Sequence, residues 1–368
     1  MPGIDRRLIQ HFEWPLVGLA LALALVGAVN LISAAPGVSD GIPPTAVRQL
    51  SWIGLGLVAL LAALVPDYRT LERVAIPVFV LCAVLLAAVL VFGPVVNGSQ
   101  RWIVLGPVRF QPSELAKLGI VLFLARLLRR HTSPSGIGLA DLAVPALAIA
   151  VPVGLTLREP DLGTALIQGL VAASFLVFAR IRIRAFAGLG AAGLAAAVAA
   201  WSFFLHDYQK ERVFTFLDPD RDPLGTAYHA IQSQIAIGSG GLLGKGYLRG
   251  PQSQLDFLPE QQTDFVFSVL AEEWGFLGGA VVLVLYLSLF VRGLMIARSS
   301  RDLFGTYLAV GVVALLFWPC AINVAMVLGM VPVVGVPLPL LSYGGSSLVT
   351  AFAGIGLLAN VSMRRYVF

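Results

Sequence analysis

The chain has 368 residues, of which 58% are hydrophobic and only 12% charged, with 25 Lys and Arg against 20 Asp and Glu. So few polar side chains cannot coat a soluble globule of this length, and the composition excludes a water-soluble protein in favour of one that uses lipid as its solvent. The small basic excess belongs with membrane topology and anionic lipid heads, and no pattern points to a nucleic-acid partner.

In chain order, uncharged runs cover 14–34, 49–66, 74–96, 142–157, 162–179, 185–205 and 274–291, each near the length of a membrane-crossing helix. The first run lacks a small-residue cleavage site and reads as a retained helix. Segment 110–128 is apolar apart from Glu114 and Lys117. The uncharged run 303–363 is too long for one crossing, and the Gly/Pro-rich piece from Gly329 to Pro339 divides it into two helices. The expected fold class is an all-α membrane protein, a polytopic bundle of about ten transmembrane helices, since only helices satisfy the backbone of such a chain in lipid. Residues 1–368 read as one integral-membrane domain that includes a large extracytoplasmic loop, 206–263. Small residues in Ala185–Ala200 and Gly275–Ala280 are expected to let helices approach closely.

Positive charge orients the spans. With the N-terminus inside, alternate segments carry Arg6 and Arg7; Arg69 and Arg73; Arg126, Arg129 and Arg130; Arg180, Arg182 and Arg184; Arg292, Arg298 and Arg301; and Arg364 and Arg365. The opposite short loops hold only Arg48, Arg101, Arg109 and Arg158. This bias predicts both termini in the cytoplasm and the 206–263 loop outside. Cys82 and Cys320 lie in apolar spans and read as buried thiols, and no Cys/His spacing or Walker loop is present.

Charged groups inside spans are costly and mark candidate sites. Glu114 and Lys117 stand three apart behind Pro112 and share a helix face, so they form an ion pair, set Lys117 beside an anionic lipid head, or do both. Arg158-Glu159-Pro160-Asp161 is a short outer connection that reads as a solvated turn with Asp161 capping the next helix, or as a charged constellation. Asp264 opens the helix that follows the long loop, either as a dipole-favoured first-turn acid or as a single carboxylate fit for general-base work. Glu272 and Glu273 point away from it on a straight helix and are expected to anchor that helix to its neighbours. Within the loop, Asp218-Pro219 and Asp222-Pro223-Leu224-Gly225 are turns. The stretch from Gly238 to Gly246 serves either backbone geometry or an anion-binding nest, with Lys245, Arg249 and Arg212 nearby for a phosphate-bearing ligand.

These residues resemble the SEDS family of shape, elongation, division and sporulation proteins. The resemblance is carried by Arg101-Trp102, Gln111-Pro112-Ser113-Glu114, Glu159-Pro160-Asp161-Leu162-Gly163-Thr164, Asp207-Tyr208-Gln209-Lys210 with Arg212, Ala236 to Gly241, Thr263-Asp264-Phe265, Ala271-Glu272-Glu273, and the run from Asn323 through Gly335 to Ser347. The loop is more similar to the elongation (RodA) branch than to the division (FtsW) branch. The resemblance implies a peptidoglycan glycosyltransferase that polymerises lipid II for cell elongation, with inversion and loss of undecaprenyl pyrophosphate, in the bacterial cytoplasmic membrane beside a class B penicillin-binding protein. It makes Asp264 the essential acid, and Lys117, Glu114, Arg101, Arg212, Lys245 and Arg249 the candidates for holding substrate. No metal ligands are assigned, although the pyrophosphate leaves room for a divalent cation, Mg or Mn. One departure is Gln262, where many relatives carry His, which argues against a proton relay through that position. A transporter or flippase of a lipid-linked saccharide is the alternative, since broken helices and intramembrane charge suit it too.

Overall fold

In a computed structural model the chain folds into a helical bundle, described for residues 10–35, 42–96, 99–106, 108–130, 136–179, 181–222, 225 and 227–365. Arg6, Arg7, Arg180, Pro223 and Leu224 lie outside the described residues. The long helices are α1 (Trp14–Ser33), α2 (Pro44–Leu64), α3 (Tyr68–Phe92), α4 (Pro112–Arg129), α5 (Leu139–Arg158), α6 (Leu162–Phe178) and α7 (Ile183–Ala199), the last running into a π turn, Ala200–Phe204. In the 206–263 region lie α8 (Asp207–Leu217), α9 (Tyr228–Gly240) and the single turn α10 (Pro251–Gln254), followed by α11 (Val266–Ser299), α12 (Leu303–Val327) and α13 (Gly345–Met363). A small hairpin, β1 (Ile103–Leu105) and β2 (Val108–Phe110), precedes α4 with Ile103 opposite Phe110.

Eight helices are long and apolar enough to cross a membrane by length and composition. α4, which carries Glu114, Lys117, Arg126 and Arg129, and the 17-residue α6 bring the long helices to ten among the described residues. α12 and α13 form the packed centre: α12 lies against α4, α6 and α11, and α13 lies against α2. Buried polar groups lock the packing, with Asn30 on α1 donating to the Val266 carbonyl at 2.8 Å and Asn360 on α13 donating to the Ala63 and Pro66 carbonyls. Each such bond in an apolar interior spares a desolvated carbonyl.

Two small-residue expectations are corrected. α7 is almost wholly exposed within the chain, so Ala185–Ala200 packs on little of this bundle. Gly275 receives the loop rather than a helix, and the result is a break in α11. Gly275 has φ 65° and ψ −164°, which ends the helical ladder after Trp274. The chain at 241–246 fills the break: Lys245 and Gly246 amides donate to the Glu272 and Glu273 carbonyls, both at 3.0 Å, and the Phe276 and Leu277 amides donate to the Gly241 and Leu242 carbonyls at 2.8 and 3.1 Å. Four orphan groups of two helix ends are thereby satisfied. Gly244 has φ 80°, and a Cβ there would run into the Glu273 carbonyl. The glycine-rich stretch therefore serves backbone geometry, and the Lys245 and Gly246 amides that a nest would present are already used.

Candidate active site

Asp264 sits on the turn just before α11, half-buried, and its backbone is held from several directions. The Thr263, Asp264 and Phe265 amides all point at the Glu260 carbonyl. Three successive carbonyls are then received by the other half of the bundle: Gln262 by the Tyr343 amide at 2.9 Å, Thr263 by the Ser342 hydroxyl at 2.5 Å, and Asp264 by the Asn323 side-chain amide at 2.7 Å. Asn323 also donates to the Val336 carbonyl at 2.7 Å, so one amide ties the Asp264 turn to the segment that breaks the long apolar run. In that segment Gly335 has φ 70°, and a Cβ there would stand 3.3 Å from Asp264 Oδ2. The backbone that carries the carboxylate thus has a fixed seat, and glycine at 335 leaves the carboxylate uncrowded on that side.

Its charge is set by its surroundings. Burial, and next the negative Glu260, raise the Asp264 pKa to about 7; Arg212 opposes this, Asp161 adds a smaller raise and Arg101 a smaller lowering. A carboxyl poised there is half-ionised near neutral pH, the condition that suits a general base. His229 stacks on Phe265 at 6.1 Å, and burial followed by Arg212 lowers its pKa against the opposing Glu260, which favours the neutral ring.

Arg212, on α8, donates to the Val333 carbonyl at 3.1 Å and lies over the Tyr208 ring at 5.9 Å, so its guanidinium bridges the loop helix and the broken segment. It lines a narrow cleft of about 120 Å³ between α8, α9 and residues 329–333. Arg101 clamps the α5–α6 turn, donating to the Glu159 carbonyl at 3.2 Å and to the Pro160 carbonyl, with Asp161 Oδ1 at 3.9 Å. That turn is not solvated: Glu159 is 0% and Asp161 4% exposed. Asp161 does cap α6, accepting from the Thr164 amide at 3.2 Å, and it also accepts from Gln111 at 3.0 Å. Glu159 has no hydrogen-bond partner for either carboxyl oxygen, and burial, then Asp161, raise its pKa to about 8 against the opposing Arg101. It therefore carries a proton at neutral pH.

Gln111 is also the residue that starts α4, so Glu114 and Lys117 connect to this assembly through it. Lys117 Nζ lies 2.8 Å from Glu114 Oε1, and both residues are 4% exposed, so the ion pair expected from their spacing forms. The remaining two candidates lie elsewhere. Lys245 Nζ bonds Glu272 at 2.8 Å and Ser239 at 2.6 Å, at the break in α11, and Arg249 is exposed with no side-chain partner among the described residues. Glu272 and Glu273 anchor α11 as expected, the first to Lys245 and the Gln252 amide, the second to Ser33 on α1. Gln262, at the departing position, donates to the Ala34 carbonyl at 3.2 Å, and that bond ties it to the end of α1.

Sequence reasoning passed over Asn323 and Ser342 as site residues and weighed Glu159 only within the Arg158-Glu159-Pro160-Asp161 constellation. The available signal was polarity out of place: Asn323 is the first amide or acid in the uncharged run that starts at 303. Among the described residues no three His, Cys, Asp or Glu side chains converge as a metal cage.

The model of the FtsW/RodA/SpoVE family, described as cell cycle protein, matches residues 13–367. The chain belongs to this family. Among its FtsW/RodA/SpoVE relatives, peptidoglycan glycosyltransferase MrdB of Escherichia coli K12 is 42% identical over 356 residues, covering 96% of this chain and 94% of that protein. Peptidoglycan glycosyltransferase RodA of Treponema pallidum is 34% identical, covering 97% and 99%. One chain of a solved peptidoglycan synthase complex, described as coordinating polymerization and crosslinking, superposes with a TM-score of 0.81 at 37% identity over 97% of this chain and 99% of that one. The rod shape determining protein RodA of Thermus thermophilus superposes at 0.72, with 35% identity and coverage of 97% and 98%.

Proposed function

We propose that this protein, a peptidoglycan glycosyltransferase, lengthens glycan strands by inverting transfer from lipid II with Asp264 as the general base. The observation that carries this reading is the Asp264 carboxylate, raised to about 7 and held on a turn whose three carbonyls are all anchored. A rigid base spends no reorganisation energy when it takes the proton. The acceptor sugar's 4-hydroxyl oxygen attacks C1 of the donor, and Asp264 receives its proton. The C1–oxygen bond to the pyrophosphate breaks on the opposite face, and the electron pair leaves with undecaprenyl pyrophosphate.

The leaving group carries the developing charge, which cations stabilise. Arg101 and Arg212 are the best placed, since both act electrostatically on Asp264. Lys117 is a second-rank contact because Glu114 already holds it, and Lys245 is held at the α11 break by Glu272. Arg249, exposed on the loop, is free to meet a phosphate that enters from that side. We place the arginine-rich ends of the helices in the cytoplasm, both termini with them, and Asp264 on the outer face, where a class B penicillin-binding protein would crosslink the product.

The polymerase and flippase readings separate in one reconstitution. Purified protein in vesicles receives fluorescent lipid II, with and without a class B penicillin-binding protein. The expected result is a ladder of glycan products. Movement of lipid II between leaflets with no ladder, partner present, would overturn the assignment in favour of transport.

A further inference from the structure

An arginine-lined cavity lies at the other end of the bundle from Asp264. Asp264 precedes α11 and Arg301 follows it, so the two lie at opposite ends of that broken helix, whose part beyond Gly275 alone is about 36 Å long by the rise of the 24 residues from Phe276 to Ser299. The cavity has a volume of about 730 Å³ and is lined by Arg69, Glu72, Arg73, Arg126, Arg129, Arg130, Arg301 and Asp302. Three segments converge there: the first turns of α3, the last turn of α4 and the link into α12.

Six guanidinium groups thus surround a space with only two carboxylates. Those carboxylates are already engaged, Glu72 by Arg129 and Asp302 by the Tyr68 hydroxyl and by Arg69 at 4.0 Å. Arg126 spends one nitrogen on the Glu72 and Arg73 carbonyls, which fixes its fork. Arg73 and Arg130 are exposed and have no side-chain partner among the described residues. Membrane orientation accounts for arginines at this end of the helices, and the dipole of α4 favours some in its last turn. Neither accounts for an open cavity of this size between three segments, with two guanidinium groups left over.

We infer that this cavity binds the phosphodiester headgroup of an anionic membrane lipid. Guanidinium pairs offer the planar, bidentate donors that a phosphate accepts, and basic pockets between transmembrane helices on this side suit such headgroups. A lipid is favoured over a soluble phosphate because the rim is flanked by outward apolar side chains, with Val74 and Ile76 on α3 and Leu303 at the start of α12 all exposed. Acyl chains would lie along them while the headgroup enters the cavity.

The test uses the full chain purified in mild detergent and exposed to mixed micelles of phosphatidylglycerol and phosphatidylcholine, with bound lipid counted by native mass spectrometry. Wild type is expected to retain phosphatidylglycerol selectively. Arg73→Gln with Arg130→Gln is expected to bind it about thirtyfold more weakly at low salt, about fivefold for each charge. The corresponding lysine pair is expected to retain part of the affinity, and Arg184→Gln with Arg298→Gln, which removes two charges from the same end outside the cavity, is expected to change it little. Equal retention by wild type and the Arg73/Arg130 glutamine pair would overturn the proposal. So would saturable stabilisation by inorganic phosphate, or capture of a polyglutamate peptide, that depends on Arg73 and Arg130 while no lipid is held.

Discussion

Replacing Gly244 by alanine is the sharpest probe of how the loop and α11 support each other. The residue has φ 80°, a region that costs an L side chain about 1–2 kcal/mol, and its Cβ would overlap the Glu273 carbonyl. Relieving that overlap pulls 241–246 out of the break and exposes the acceptors now taken by the Lys245 and Gly246 amides at 3.0 Å. Two lost hydrogen bonds at about 1 kcal/mol each bring the total to roughly 3–4 kcal/mol. The assay is thermal unfolding in detergent followed by fluorescence-detected gel filtration, with an expected fall in apparent Tm on the order of 5 °C or more. Gly238→Ala is the control: that glycine lies on α9 with open space where a Cβ would go, and alanine there should be neutral or stabilising by up to about 1 kcal/mol. A Gly244→Ala protein that melts with wild type would refute the plugged-break description of α11.

Two further outcomes follow from the same geometry. Lys245→Met should cost about 3 kcal/mol, because Glu272 is wholly buried and would keep only the Gln252 amide, whereas Lys245→Met with Glu272→Met should recover most of it; additive losses in that cycle would mean that Lys245 is not held by Glu272. The pH profile of polymerisation should fall about tenfold per unit below an inflection near 7, since only ionised Asp264 accepts a proton, and Glu260→Gln should move the inflection to lower pH by removing the main charge that raises it; an unmoved inflection would detach the profile from Asp264.

The bundle was legible in the sequence because the bilayer imposes a length on every apolar run, and the runs that became α1 to α7 and α11 to α13 match that length. Glu114 and Lys117 were also legible, since an i,i+3 spacing behind Pro112 leaves the two charges little choice but to pair. The seat of Asp264 was not. Asn323, Ser342 and Tyr343 reach it across 59 or more residues of chain, and a hydrogen bond between a side-chain amide and a distant carbonyl leaves no period or spacing behind. The glycine-rich loop stayed ambiguous in sequence for a related reason: glycines that let backbone approach a phosphate and glycines that let backbone approach a helix break have the same composition. Only the partner, here the Glu272 and Glu273 carbonyls, distinguishes them.

Asp264→Asn, folded and purified to the same yield as wild type, tests the central claim most directly in a single-turnover assay of glycan bond formation from bound lipid II with a class B penicillin-binding protein present. The substitution keeps the side chain's shape, and the backbone carbonyl bonded by Asn323 is untouched. The rate of bond formation is expected to fall by about two to four orders of magnitude, with lipid II still bound. A variant that polymerises within a few-fold of wild type would contradict the assignment of Asp264 as the base.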